Sequence, residues 1–135
     1  LASEQGHQIT PRTGLLWGIA GFVAVQLAPA LGLPPELPGA AAADVAARQV
    51  WWFGTVAATA LGLWLIAFGR SPVIWAAAVL CLAVPQIIGA PHPDTFTGPV
   101  PPEIAAHFAA RALSVGLASW AILGMLAGYF WNKEA

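Results

Sequence analysis

Charged residues divide the chain into long apolar runs. Residues 13–35, 49–69, 71–93 and 112–132 hold no Lys, Arg, Asp or Glu, and run for 23, 21, 23 and 21 residues. About 20 apolar residues in a helix cross a hydrocarbon layer of about 30 Å. Only helices and closed barrels satisfy the backbone inside lipid. The runs lack the two-residue alternation of barrel strands and are rich in Ala and Leu, so the pattern predicts four transmembrane helices. Their expected limits are Gly14 to Leu31, Ala42 to Gly69, Pro72 to Ala90 and Glu103 to Trp131, with Pro85 kinking the third.

Composition supports this. The 135 residues are 59% hydrophobic and 8% charged, with a mean hydropathy of +0.73, whereas a soluble domain is about 25% charged. A net charge of -1 without a basic block removes the electrostatic footprint that nucleic-acid binding needs. The lone Cys81 excludes a disulfide framework. Arg12, Arg70 and Lys133 fall on one side of a four-crossing chain, and Arg70-Ser71-Pro72 forms a short turn there. This side is expected to be cytoplasmic and to hold both termini. Trp17, Trp64, Trp75 and Trp131 mark that boundary, Trp51 and Trp52 the opposite one, and Trp120 falls near mid-membrane. The sequence opens on Leu, and a fragment or processed product is expected.

The two outer connections repeat each other. Residues 28–39 read APALGLPPELPG and residues 90–104 read APHPDTFTGPVPPEI. Downstream, Ala43–Arg48 matches Ala106–Arg111 at an offset of 63 residues, each ending in Ala-Ala-Arg. The expectation is a single membrane domain over 1–135 built from two helical hairpins, 14–69 and 72–131. Nine of the twelve prolines lie in the two outer segments, and their fixed φ makes these segments stiff caps and not tethers.

Ionisable groups collect on that outer side. Asp44 and Arg48, and likewise His107 and Arg111, are spaced to pair along a helix. Both arginines sit near helix N-termini, where the dipole disfavours cations. Glu36 and Glu103 are the natural carboxylate partners, giving an ion-pair set of Glu36, Asp44, Arg48 and Arg111 that locks loops to helices. His92, His107, Asp94 and Glu103 together offer nitrogen and oxygen donors suited to Co, Ni, Mn or Zn. Within the membrane Gln26, Thr55, Thr59, Gln86, Ser114 and Ser119 are the main polar residues, expected either to line a polar path or, more often for such residues, to act as hydrogen-bonding glue between helices. Gly14/Gly18 and Gly124/Gly128 permit close helix packing, within the chain or with a partner. Walker A, GxSxG, HExxH and dinucleotide fingerprints are absent, so no enzyme is expected.

The residues GLLWG at 14–18, LAPALGLPPELPG at 27–39, Ala43-Asp44 leading to RQVWW at 48–52, and IGAPHP at 88–93 resemble the CbtA family. The resemblance covers nearly all of the chain from Gly14 onward and implies a bacterial inner-membrane subunit of a cobalt transporter, working beside a small single-helix companion, CbtB. Members of that family carry further N-terminal helices and a histidine-rich segment. Two functions follow as expectations: a subunit moving Co²⁺ or a related divalent ion, and a non-catalytic structural subunit of a larger membrane assembly.

Overall fold

A computed structural model describes residues 8–38, 42–93 and 99–134. Among them the chain is all-helical, as the apolar runs predict, with four helices in order: α1 (Pro11–Ala30), α2 (Val45–Phe68), α3 (Pro72–Ile88) and α4 (Pro102–Glu134). α1, α2 and α4 are long and apolar enough to cross a membrane. α3 has 17 residues, the lower limit for a crossing.

Local chemistry sets the ends. Thr10 caps α1 by accepting from the Thr13 N–H at 3.2 Å, while the Thr13 hydroxyl accepts from the Thr10 N–H at 2.7 Å. Pro11 fills the first helical position, where its missing N–H costs nothing. This cap starts α1 three residues before the expected Gly14. Asp44 caps α2 through Ala47 N–H at 3.1 Å, and Ser71 caps α3 through Ile74 N–H at 3.3 Å ahead of Pro72. Gly89 ends α3 with φ 85°, a conformation that L side chains resist. Pro85 lies inside α3, which runs on past it to Ile88.

α1 holds the main departure from a regular helix. Residues Val23–Leu27 form a π-turn, after which Ala28–Ala30 return to α geometry. The cause is Pro29. An α-helical proline clashes with the carbonyl four residues earlier and cannot bond it. Inserting one residue into the turn moves that carbonyl aside, and Ala28 N–H bonds Val23 O instead. The helix thus passes through Ala28-Pro29, as the expected limit at Leu31 requires, and ends at Ala30.

The helices lie in the spatial order α4–α1–α2–α3, each neighbour running antiparallel. α4 packs on α1, α3 packs on α2, and α1 meets α2 mainly through its π-turn and last turn. Among the described residues α3 and α4 do not pack on each other. The alternation puts Ala30, Val45, Ile88 and Pro102 at one end of the bundle. Pro11, Phe68, Pro72 and Glu134 lie at the other.

Candidate functional site

At the end that holds Pro102, the polar residues are spread over three elements. Asp44 is exposed and spends a carboxylate oxygen on its cap. Arg48 is half-buried; its Nε is enclosed without a hydrogen-bond partner. Glu36 is exposed on the 31–38 connection. Glu103, His107 and Arg111 are all exposed, and their four-residue spacing sets them along one face of α4. His92 is exposed just beyond α3; its Nδ1 lies 3.1 Å from the Pro93 carbonyl oxygen. It lines an open cleft of about 720 Å³ with Ala46, Ala47, Val50 and Trp51. Asp94 lies outside the described residues. Among the described residues no three His, Cys, Asp or Glu side chains converge as a metal site.

Deeper in the bundle, two side-chain amides bridge helices. Gln86 of α3 donates from Nε2 to the Ala28 carbonyl at 3.0 Å, and Gln26 donates to Ala112 O of α4 at 3.4 Å. Trp51 of α2 donates from Nε1 to Pro85 O at 3.2 Å. The other polar residues of the membrane depth do not act as the expected glue. Thr55, Ser114 and Ser119 each donate, at 2.8 Å, to the carbonyl four residues earlier on their own helix. That acceptor is always within reach of a helical hydroxyl, so the helix satisfies them before a neighbour can. Thr59 is 1% exposed and its hydroxyl has no partner. Trp120, placed near mid-membrane by the sequence, lies over Gly21 in the α1/α4 interface.

Towards the opposite end, α1 and α2 diverge. A crevice of about 470 Å³ opens between them, lined by Leu16, Ala20 and Val25 on one side and Val56, Ala60 and Ala67 on the other. Among the described residues that line it, Thr13 carries the one hydroxyl and Trp17 and Trp64 bring indole rings. Trp17 and Phe68 meet at its mouth, ring centroids 6.4 Å apart, with Trp64 against Phe68 at 4.5 Å. Sequence reasoning missed the crevice and the π-turn. Gln26 three residues before Pro29 was the available signal, a polar group and a helix breaker on adjacent turns.

Four antiparallel apolar helices with their ionisable groups gathered at the ends define a multi-pass helical membrane protein. Residues 1–132 match the family described as "Probable cobalt transporter subunit (CbtA)", and the chain belongs to that family. It is accordingly a membrane subunit of the cobalt-transporter class. No curated protein and no solved structure matches the chain.

Proposed function

We propose that the chain takes up Co²⁺ at the Pro102 end and hands it into a path completed by another subunit. The family match over residues 1–132 carries this reading. Cobalt is the cargo here and not a resident cofactor. Its first contacts are His92, His107, Glu103 and Asp94, whose mixed nitrogen and oxygen donors suit a first-row divalent ion. Glu103 and His107 lie in the first two turns of α4. That helix has 33 residues, about 50 Å against a hydrocarbon thickness of about 30 Å, so these turns extend beyond the lipid. Glu36, Asp44, Arg48 and Arg111 lie at the same end of the bundle and form no ion pair with one another among the described residues.

The need for a second subunit follows from what the membrane depth offers. Gln26, Gln86, Thr55 and Thr59 are its main polar side chains, and no carboxylate lies among them. A divalent ion in hydrocarbon requires charged partners. A companion such as CbtB, or a larger complex, supplies them. The protein sits in the bacterial inner membrane, with the Arg12, Arg70 and Lys133 side in the cytoplasm. It performs no catalysis. The repeated outer segments support a duplication relating 14–69 to 72–131, although α3 and α4 of the second unit do not pack on each other among the described residues.

Radiolabelled Co²⁺ uptake by cells carrying the intact transporter tests this. The variant His92→Ala/His107→Ala, present in the membrane at the native level, is expected to lose at least tenfold in uptake at limiting cobalt. The variant Ser119→Ala serves as the control. Native uptake by the double variant overturns the reception site.

A further inference from the structure

The packing is uneven in a way that suits motion. α1 and α4 touch main chain to main chain: a Cβ on Gly14, Gly18, Gly124 or Gly128 would strike the facing backbone. α2 and α3 also pack closely, though less tightly. Thr55 and Thr59 of α2 and Ala78 of α3 are fully buried, a Cβ on Gly62 would press on Ala78 O, and Trp51 bonds Pro85. Between the two pairs there is no such contact over the first half of α1. That half faces α2 across the crevice, where the Trp17 and Phe68 rings meet. At the far end the pairs are joined. Ala24 and Ala28 are buried, and Gln86 bonds Ala28 O.

The π-turn lies between the open half and the joined end. Helices bend at π-turns because the widened ring leaves a carbonyl without its ordinary donor. Pro29 has no N–H to give back, so the turn cannot anneal into regular α-helix. We propose that the α1/α4 and α2/α3 pairs are two bodies that swing about the π-turn at Val23–Leu27, parting and closing the crevice at the Trp17/Phe68 end while the Gln86–Ala28 bond holds the other. The swing rests on the transport reading for its purpose, since it gives one side of the membrane periodic access between the pairs. Its geometry does not depend on which ion is carried.

Spin-label distances test the motion directly. The full chain, in its native assembly in lipid nanodiscs and with Cys81→Ala, takes labels at Val73 and Asn132 for the mobile end and at Ile88 and Ile104 for the joined end. All four side chains are exposed. A swing of roughly 10° on a 25–30 Å lever moves the mobile ends by about 5 Å. The Val73–Asn132 distribution is therefore expected to be broad or two-peaked by that amount, and the Ile88–Ile104 distribution to be narrow. Gln86→Leu is expected to broaden the second pair, and Pro29→Ala to narrow the first. Single narrow distances at both ends, unaltered by Co²⁺ and by Pro29→Ala, overturn the swing and describe a static crevice filled by lipid. Cobalt uptake by the same labelled proteins separates the two ideas. Uptake with rigid distances removes the swing alone, whereas the predicted motion supports the swing even where uptake fails and the transport reading falls.

Discussion

Gly14 and Gly124 exclude side chains from each other: a Cβ built on either would land on the carbonyl oxygen of the other. With no hydrophobic force between helices in lipid, close backbone approach and van der Waals packing hold α1 to α4. Gly14→Leu or Gly124→Leu is expected to lower stability by about 1–3 kcal/mol or more, the usual cost of overpacking. Gly54→Leu, where a Cβ would meet nothing within 4 Å, is expected to change little. Thermal inactivation of the purified protein in mild detergent checks the contrast, and equal midpoints for Gly54→Leu and Gly124→Leu would contradict the packing.

The glycine pairs also mark how far the sequence could be read. GxxxG spacing shows that a helix face tolerates close contact, but carries no information on the partner; here the Gly14/Gly18 face meets the Gly124/Gly128 face. Of the helix starts, Pro72 was legible from Ser71-Pro72, whereas the caps at Thr10 and Asp44 set the first two at Pro11 and Val45 and not at the expected Gly14 and Ala42. The π-turn was not legible: the expected helix to Leu31 already runs through Pro29, but the apolar pattern does not show that a widened turn absorbs the proline. For the outer residues, sequence spacing relates members of one helix, as with Glu103, His107 and Arg111. It cannot relate His92 to them, since that depends on how α3 and α4 are held apart.

Thr55 and Thr59 lie one turn apart on α2, are equally buried, and differ in one respect. Thr55 donates to Trp51 O, and Thr59 donates to nothing. An unsatisfied buried polar group costs about 1–3 kcal/mol. Thr59→Val keeps the shape and removes that group, so it is expected to raise stability by about 1 kcal/mol. Thr55→Val removes a satisfied hydroxyl and is expected to be neutral or mildly destabilising. Denaturation midpoints of the two variants should therefore move apart. If Thr59→Val proves as harmful as Thr55→Val, or worse, the hydroxyl has an unseen partner.

Gly116 and Gln26 are coupled by space and not by a strong bond. A Cβ on Gly116 would fall on the Gln26 amide, while that amide's bond to Ala112 O is long, at 3.4 Å. Gln26→Ala is then expected to cost under about 1 kcal/mol, in the range of interhelical polar contacts in membranes. Gly116→Ala should cost more, because the amide must move. In the double variant the conflict disappears, so the pair should be less harmful than the sum of the singles. Additive effects would show that the amide moves aside freely.

Pro29 and Gln86 lie on different helices but are linked through one carbonyl. Pro29 forces the π-turn, and the π-turn sets the rotation of the last turn of α1, which aims Ala28 O at the Gln86 amide. Pro29→Ala restores an N–H and lets the turn return to α geometry. Removing the extra residue rotates Ala28 by about 100° relative to the first half of α1, and its carbonyl leaves Gln86. Gln86→Leu should cost about 0.5–1.5 kcal/mol in the native background. It should cost nothing further, or become favourable, once Pro29 is Ala. A stability cycle over the four proteins measures this, and an undiminished Gln86→Leu penalty in the Pro29→Ala background would mean that the proline does not set the register of the bond.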